Sequence, residues 1–553
     1  MPLLAEKMVP IPNKDLLSWT FDDSKYDPNK PIYVDAADPT RSISAAQAKL
    51  LIRKLAVGFH AVGVRHGDCV CVHAFNDIYY PILFLGIIAA GAVFVGSNPA
   101  YTSSELTHHF GTSQGRFILT DPTYLDPILQ ASQNCKIPRT NVFIFDPRGG
   151  DDKRDMAPRS RDWTWLLDHG ERDWHRFDDE AVSRTTTAAR LFSSGTTGLP
   201  KAASISHYNL VAQHTLVFDF NPVPYKVRHA SFLAYLPLFH AAMTPFALVA
   251  PLRAGQVTYV LKRFEIEALL RSIHRYQITD IVFVPPVVVA ILKSSLAQRF
   301  PLKSLKNAMS GAGPLDRQNQ SALQQLLAPD AALNQVWGMT ETTCVASKFY
   351  YPEQDDTGSV GYMMPNIDVK VVDDDGKDVT GAEKPGEMCI RGPTVISEYF
   401  QNARATAESF DSQGYFKTGD IMYRSSASKK WYVVDRKKEL IKVRGFQVSP
   451  AEIEGVLLTH PAVADAAVIG IKDDNDATVG LPRAYVVKRD GGTAELSKKE
   501  LILFCGERLA KYKALTGGIY FVNVIPRNAA GKALKRILRE TTQRGGRPRD
   551  QRL

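Results

Sequence analysis

Up to about residue 345, short apolar runs typical of β-strands alternate with segments typical of helices. Parallel strands are joined by crossovers that are usually helical, so this alternation favours a layered α/β fold with largely parallel sheets. The clearest strand-like runs are 70–73, 116–119, 142–145, 232–236, 257–259 and 280–284. A chain of 553 residues is too long for one ordinary hydrophobic core, and we therefore expect at least two domains.

From about Gly358 the pattern changes to short strands separated by turn sequences, Asp-Asp-Gly at 374–376 and Lys-Pro-Gly at 384–386. Turn residues at such short intervals are typical of antiparallel strands. They predict a small β-rich, barrel-like subdomain at about 345–434, which completes a large N-terminal domain at 1–434.

A compact α+β pattern follows Asp435. Its first helix is predicted to begin at Ser449 as N-cap, with Pro450 in the first helical position and Glu452 as the carboxylate of a capping box. Strands are expected at 466–471, 484–488 and 519–524, and an amphipathic helix near 496–510. We interpret this region as a hinge at 435–438, a small C-terminal domain at 439–536 and a basic tail at 537–553.

Charge and apolar content exclude several classes of protein. The net charge is +9, and residues 535–553 hold seven Lys or Arg against two acidic residues, without the interleaved aromatics typical of nucleic-acid binding. The longest apolar run, 81–96, is shorter than the roughly 20 residues of a membrane-spanning helix, and predicts a buried helix that leads into a core strand. Six scattered cysteines with no Cys-x-x-Cys pair indicate a reducing compartment.

The segment SSGTTGLPK at 193–201 has the composition of a polyphosphate site. Glycines let backbone N–H groups approach an anion, hydroxyls add donors, and Lys201 adds a full positive charge. A Walker loop requires Gly-Lys-Ser/Thr in sequence before a helix, whereas Leu199 and Pro200 separate Gly198 from Lys201 and a strand-like AASIS follows. A P-loop NTPase is therefore disfavoured. The first six residues alone would also fit an ordinary turn.

This segment is similar to the signature of the adenylate-forming superfamily, which includes acyl-CoA synthetases, 4-coumarate–CoA ligases, firefly luciferase and peptide-synthetase adenylation domains. Seven further segments resemble the superfamily's motifs in the expected order: NPAYTSSEL (98–106), LPLFH (236–240), SGAGPL (310–315), QVWGMTET (335–342), YFKTGD (415–420), DRKKELIKVRGFQ (435–447) and PRNAAGK (526–532). The resemblance is greatest to 4-coumarate–CoA ligase-like acid–CoA ligases.

The resemblance implies a nucleotide site. In it, Thr340 contacts the AMP phosphate, Glu341 holds Mg²⁺, Trp337 (normally Tyr) packs on adenine, and Asp420 accepts the ribose hydroxyls. The full set implied for ATP and AMP is Ser193, Ser194, Gly195, Thr196, Thr197, Gly198, Lys201, Ala312, Gln335, Trp337, Thr340, Asp420, Arg436, Lys438 and Lys532. Without this context, Thr340-Glu341 would more often be a helix cap and Thr418-Gly419-Asp420 a turn.

The resemblance also implies catalytic roles for Lys532, His240, Glu341 and Thr196. Lys532 bridges the substrate carboxylate and the α-phosphate and acts electrostatically. His240 lies between the acyl site and the route by which CoA enters, although a lone His is more often a core residue. CoA is expected near Arg263, Lys442, Arg444 and Gly445. The acyl pocket is expected to be lined by His240, Ala241, Ala242, Met243, Gly311 and Val336.

These expectations describe an ATP-dependent acid–CoA ligase that uses Mg²⁺ and forms an acyl-AMP before transfer to CoA. Val336 stands where hydroxycinnamate ligases usually have Gly, and Ala242 stands near a usual Tyr. We therefore expect an apolar aryl or medium-chain acid rather than 4-coumarate. The alternatives are an enzyme that loads a carrier protein, a luciferase-like oxygenase and a non-catalytic nucleotide sensor. The absence of a carrier-like module after Lys532 favours free CoA.

Two locations are predicted, cytoplasmic and peroxisomal. The first residues lack the apolar core of a secretory signal. The final tripeptide Gln551-Arg552-Leu553 resembles a peroxisomal Ser-Lys-Leu signal at its last two positions, and a basic tail precedes it. The expected partners are the acid, ATP, CoA and, for the second location, a peroxisomal import receptor.

Overall fold

The computed structural model describes residues 2–149, 161–193, 200–220, 230–443, 446–472, 480–489, 496–527 and 531–543. One seven-stranded sheet has, in spatial order, the strands Arg161–Asp162, Val142–Ile144, Gly115–Thr120, Cys69–His73, Val93–Ser97, Thr187–Ser193 and Lys201–Ser206. Its neighbouring strands are parallel except for the last pair, which is antiparallel.

A second seven-stranded sheet repeats this design. Its strands, in spatial order, are Ala332–Gln335, Asn307–Ser310, Asp280–Phe283, Ser231–Ala234, Val257–Val260, Pro31–Asp35 and Ser42–Ser44. Only the last pair is antiparallel. The predicted α/β fold with largely parallel sheets is therefore confirmed.

The apolar run 81–96 forms the helix Tyr80–Ala89 and then the strand Val93–Ser97, as predicted. Every residue of both elements is buried, which explains why the run shows no polar face. The helix packs closely on helix Ala45–Ala61, because a Cβ on Gly86 would lie 2.6 Å from the Leu55 Cδ1 atom. None of the helices in the described ranges has the length and apolar character needed to cross a membrane.

Helices connect the parallel strands and flank the two large sheets. The α-helices of the described part up to residue 409 are Leu16–Phe21, Ala45–Ala61, Tyr80–Ala89, Ser103–Ser113, Leu125–Asn134, Glu180–Thr185, His207–His214, Ala250–Ala254, Ile266–Tyr276, Pro285–Lys293, Leu296–Arg299, Arg317–Leu326 and Ala403–Ser409. There are also two π-helical segments in this part of the chain. Thr215–Asp219 continues the helix His207–His214, and Thr244–Val249 leads into the helix Ala250–Ala254.

The predicted β-rich region consists of antiparallel strands. A three-stranded sheet contains Trp337–Gly338, Val345–Lys348 and Tyr362–Met363. A four-stranded sheet contains, in order, Asp368–Val372, Gly386–Arg391, Phe416–Arg424 and Trp431–Arg436. Trp431 is one of the largest fully buried side chains and belongs to the main hydrophobic core, which therefore joins this region to the two large sheets.

A separate hydrophobic core contains residues from Ile441 to Ile519. It is built from the hairpin Ile441–Val443 and Phe446–Val448, the sheet Val463–Lys472, Gly480–Lys488 and Ile519–Phe521, and the helices Pro450–Leu458 and Lys498–Gly506. A last helix, Lys535–Gln543, follows.

The helix Pro450–Leu458 begins as expected, with the Ser449 side chain accepting from the backbone N–H of Glu452. The other half of the predicted capping box is corrected: the Glu452 carboxylate pairs with Lys513. Two expected elements are shorter than predicted. The helix near 496–510 is Lys498–Gly506, and the strand at 519–524 ends at Phe521.

Candidate functional site

A cavity of about 870 Å³, lined by charged, polar and apolar side chains, lies between the N-terminal domain and Lys532. It brings together side chains from motifs that are far apart in the sequence. The site residues predicted above that line it are Ser193, Lys201, His240, Ala312, Thr340, Glu341, Arg436, Lys438 and Lys532.

The proposed phosphate segment connects two paired antiparallel strands. Ser193 ends one strand, Lys201 begins the next, and the two residues lie opposite each other in the register. Burial lowers the pKa of Lys201, and the nearby Glu341 opposes that shift. The predicted residues Ser194, Gly195, Thr196, Thr197 and Gly198 lie outside the described residues.

Glu341 lies in a short 3₁₀ turn, Thr340–Thr342, directly after the strand Trp337–Gly338. The turn requires Gly338, because a Cβ there would be 1.7 Å from the carbonyl oxygen of Cys344. The Glu341 carboxylate is buried and accepts a 2.7 Å hydrogen bond from the Tyr399 hydroxyl.

A carboxylate at the cavity wall fits Mg²⁺, which is commonly held by one or two carboxylates together with substrate phosphates and water. Within the described ranges, no group of three His, Cys, Asp or Glu side chains could form an all-protein metal cage. The role of Glu341 as a metal ligand stays a prediction.

Asp420 is 4% exposed and both of its oxygens have partners. The indole N–H of Trp337 donates to Oδ2 at 2.8 Å, and the Arg436 Nε atom is 3.1 Å from Oδ1. The strand ends at Arg436, and the backbone N–H of the next residue, Lys437, donates to the Gly419 carbonyl. The sequence did not predict the Trp337–Asp420 contact, and the adenine contact of Trp337 stays a prediction.

The Gln335 side chain is bonded to the protein itself, and its contact with the nucleotide stays a prediction. Its amide oxygen accepts from the Leu315 N–H at 2.9 Å, and its amide nitrogen donates to the Leu315 carbonyl at 3.0 Å and to Gln320 at 3.2 Å. Both polar atoms are therefore engaged in holding the loop 310–315. Ala312 in that loop lines the cavity with φ +64°, the left-handed region that few non-glycine residues adopt.

Lys532 reaches the cavity from the last described segment, and its ammonium lies 3.9 Å from Glu439. Gly531 has φ +79° and packs on Pro286, because a Cβ there would be 2.9 Å from the proline Cγ. Burial lowers the pKa of Lys532, Arg436 adds to this effect, and Glu439 opposes it. The structure therefore places Lys532 in one cavity with Lys201 and Glu341.

His240 also lines the cavity, where it caps the 3₁₀ helix Ala241–Met243. Its Nδ1 atom accepts from the Ala242 N–H at 3.2 Å, and burial lowers its pKa. A neutral His240 is thus fixed at the cavity wall. It lies at the predicted site, and it also makes the local hydrogen bond that is expected of a core histidine.

Two contacts in the structure involve residues predicted to line the acyl pocket. A Cβ on Gly311 would be 3.0 Å from a methyl group of Val336, and the Cys344 thiol donates to the Ala242 carbonyl at 3.5 Å. Burial raises the pKa of Cys344 to about 12, which supports its interpretation as a packing residue. Ala241 and Met243 are buried beside them.

The predicted CoA residues are not all brought to the cavity. The Arg263 side chain is 65% exposed and pairs with Glu265 at 3.0 Å. Arg444, Gly445 and the Lys442 side chain lie outside the described part of the chain. Their roles stay predictions.

Tyr399 is a cavity residue that the sequence reasoning missed. It contacts Glu341, 58 positions away, and its ring lies under the Lys201 ammonium, 4.1 Å from the ring centroid. The sequence around Tyr399 and Phe400 contains no local pattern that would distinguish a site residue from a core residue.

Comparisons with known proteins show which family the chain resembles. The family model described as AMP-binding enzyme matches residues 21–400, and the model for the AMP-binding enzyme C-terminal domain matches residues 452–532. Acyl-CoA ligase azaF of Aspergillus niger is 48% identical over 537 residues, covering 97% of this chain and 99% of that protein. Phenylacetyl-CoA ligase epaB of Aspergillus niger is 48% identical over 539 residues, covering 97% and 98%.

Solved structures share the fold. ATP-bound MatB from Rhodopseudomonas palustris has a TM-score of 0.82 at 25% identity, covering 96% of this chain and 99% of that one. The anthranilate CoA ligase AuaEII, in complex with anthranoyl-AMP, has a TM-score of 0.82 at 22% identity, covering 97% and 98%.

The chain belongs to the AMP-binding enzyme family, and the predicted adenylate-forming fold is confirmed. Within that family it is an ATP-dependent, AMP-forming acid–CoA ligase, as the sequence predicted. ATP and CoA are its substrates, and the use of Mg²⁺ stays a prediction.

Proposed function

We propose that this ligase activates an apolar aryl or medium-chain carboxylic acid, with small aryl acids the first to test. The observation that carries the proposal is the apolar character of the residues predicted to line the acyl pocket. Ala241, Ala242, Met243, Gly311 and Val336 are all apolar, and Ala241 and Met243 are buried directly after His240 in the chain. A second charged group on the acid would be desolvated there without a partner, which is costly, whereas each buried CH₂ contributes about 0.8 kcal/mol.

The names of the relatives support an aryl acid. One relative at 48% identity is named as a phenylacetyl-CoA ligase, and the protein olcI of Penicillium canescens, 36% identical, is named as a nicotinic acid–CoA ligase. Both names describe a monocarboxylic acid with a single aromatic ring. Val336 restricts the space beside Gly311, which favours such a ring over a bulkier hydroxycinnamate.

The first half-reaction that we propose uses the cavity as described. A carboxylate oxygen attacks the α-phosphorus of ATP, the bond to the bridging oxygen of the β-phosphate breaks, and pyrophosphate leaves with the electron pair. Lys201 and Lys532 face the reacting phosphates and offset their charge, which matters more in a water-poor site. Glu341 would hold Mg²⁺, whose chemistry is to neutralise the phosphate oxygens.

The second half-reaction requires Lys532 to leave. We propose that the C-terminal domain, 439–536, rotates about residues 435–438 relative to the domain 1–434. The rotation replaces Lys532 with the face that carries Lys442, Arg444 and Gly445. The CoA thiol then attacks the acyl carbon, and AMP departs. Two separate hydrophobic cores on either side of residue 435 support this division, since each part can move as a unit.

A screen of ATP–pyrophosphate exchange over aryl and fatty acids tests the proposal directly. We expect the highest kcat/KM with a small aryl acid and the mass of its CoA thioester when CoA is supplied. Exchange confined to dicarboxylic or strongly polar acids would contradict the pocket argument.

The location of the enzyme stays a prediction with two outcomes, cytoplasm and peroxisome. Residues 551–553 lie outside the described residues. We propose to image a fluorescent fusion with and without this tripeptide. Loss of punctate fluorescence on deletion would support recognition by a peroxisomal import receptor, and diffuse fluorescence in both cases would support the cytoplasm.

A further inference from the structure

Tyr399 links two parts of the site that the sequence motifs treat separately. The side chain is 3% exposed, its hydroxyl donates to Glu341 Oε1 at 2.7 Å, and its ring centroid lies 4.1 Å from the Lys201 ammonium. One buried aromatic residue thus contacts both the proposed metal ligand and the lysine of the proposed phosphate segment.

The backbone around Tyr399 is bonded to Glu341 and to the strand Lys201–Ser206. The Ile396 N–H donates to the Glu341 carbonyl at 3.0 Å, and the Phe400 N–H donates to the Ala202 carbonyl at 2.8 Å. These bonds tie the segment 396–400 to the Glu341 turn on one side and to the strand that begins at Lys201 on the other. The position of Tyr399 is therefore determined by both halves of the site.

We propose that Tyr399 is a positioning residue that orients the Glu341 carboxylate toward Mg²⁺ and holds the Lys201 ammonium toward the ATP phosphates. The proposal rests on the proposed role of Glu341. Mg²⁺ demands near-ideal octahedral geometry, so a carboxylate that turns freely would bind it less well. The phenol engages Oε1 at 2.7 Å, and the carboxylate so oriented would hold the cation.

The chemistry of the tyrosine suits this task. A phenol keeps its proton near neutral pH, so the Tyr399 hydroxyl stays a hydrogen-bond donor to Glu341. The ring face attracts the Lys201 cation without neutralising its charge, which remains available to an anionic substrate.

Tyr399→Phe separates the hydroxyl from the ring. We expect the Mg²⁺ concentration for half-maximal ATP–pyrophosphate exchange to rise about tenfold, because a hydrogen bond to a charged group is lost. Calorimetry without acid gives a second readout: the affinity for ATP in EDTA should be unchanged, while the gain in affinity on adding Mg²⁺ should shrink. Tyr399→Leu should in addition weaken ATP binding in EDTA several-fold, because Lys201 loses the ring.

Tyr415→Phe is the matched control, since Tyr415 is also buried and lies beneath the cations Lys370 and Arg391. It should leave the Mg²⁺ dependence unchanged. A wild-type Mg²⁺ dependence in a folded Tyr399→Phe protein would overturn the proposal.

Glu341→Gln distinguishes the proposed role of Tyr399 from the proposed role of Glu341. If Glu341→Gln weakens the Mg²⁺ response and Tyr399→Phe does not, the role of Tyr399 fails and that of Glu341 stands. If neither variant changes it, Glu341 is not the metal ligand. Should Tyr399→Phe fail to fold, Thr406→Val removes the 3.0 Å contact from the Tyr399 N–H to the Thr406 hydroxyl. That variant should give the same shift in smaller size, and an unchanged Mg²⁺ dependence would count against the proposal.

Discussion

The indole N–H of Trp337 donates a 2.8 Å hydrogen bond to the carboxylate of Asp420, and both side chains are buried. The two residues are 83 positions apart and belong to different antiparallel sheets. The proposed ribose acceptor is therefore fixed in orientation by the residue proposed to pack on adenine. A tyrosine at position 337 would lack this indole donor.

Trp337→Phe tests that link, because it keeps a flat ring and removes the N–H donor. We expect KM for ATP to rise about tenfold with little change in KM for the acid, since a hydrogen bond to a charged group typically contributes about 1.5–3 kcal/mol. Initial rates of pyrophosphate exchange give both constants. Trp163→Phe is the control, because Trp163 is equally buried and its indole nitrogen has no hydrogen-bond partner among the described residues. Equal increases in both KM values would contradict a specific ribose role.

Lys532→Ala should separate the two half-reactions. We expect the rate of adenylation to fall by about a thousandfold, because a fixed positive charge beside the reacting phosphate is lost. Thioester formation from supplied acyl-AMP and CoA should be largely retained. Lys513→Ala, which removes a lysine paired with Glu452 in the same small core region, should affect neither step. Equal loss of both half-reactions would show that the role assigned to Lys532 is wrong.

Val336→Gly should widen the acyl pocket beside Gly311. We expect kcat/KM for 4-coumarate relative to phenylacetate to rise at least tenfold, in the range that one or two methyl groups of pocket volume can discriminate. The reciprocal variant Gly311→Ala places a Cβ 3.0 Å from the Val336 methyl and should lower the same ratio. Competition assays with both acids measure it. An unchanged ratio in both variants would place the acyl ring elsewhere.

The buried histidines predict a loss of stability in mild acid. Burial lowers the pKa of His109, His207 and His214 to about 3, against an ordinary value of 6.5. Between these values the unfolded chain binds protons that the folded chain does not, so stability falls as pH falls below about 6.5. Each histidine should lower the free energy of unfolding by about 1 kcal/mol between pH 6.5 and 5.5.

Urea denaturation at several pH values measures this slope. His109→Phe is the informative variant, because His109 stacks on Phe192 and neither ring nitrogen has a hydrogen-bond partner in the described ranges. It should reduce the slope by the share of one histidine. A stability independent of pH over this range would show that these side chains are not buried in their neutral form.

The sequence predicted elements well where burial is continuous. The strands Cys69–His73 and Asp280–Phe283 are buried at every position, so their apolar runs mark them directly. The sequence predicted the ends of helices and strands less well. The helix Lys498–Gly506 was expected to be longer, because residues 507–510 continue an amphipathic pattern although the chain leaves the helix there. Local composition does not record where a helix loses its packing partner.

The candidate site shows the same division. Lys201, Thr340, Glu341, Asp420, Arg436 and Lys532 were predicted from short motifs. Five of them line one cavity, and the sixth, Asp420, contacts the lining residue Arg436. Motifs identify these residues because a polyphosphate constrains side chains that are close in sequence. Tyr399 and the supporting role of Gln335 escaped, because their partners are set by how separate strands pack.

The sequence by itself determined the family, the layered α/β class and the chemical type of each motif, because these depend on apolar periodicity and on residues within a few positions of one another. Only the tertiary structure decided that Trp337 donates to Asp420, that Tyr399 joins Glu341 to Lys201, and that Lys532 lies in the cavity. Such contacts join residues tens to hundreds of positions apart. They are fixed by the order of strands in the sheets and by the packing of the last segment on the first domain.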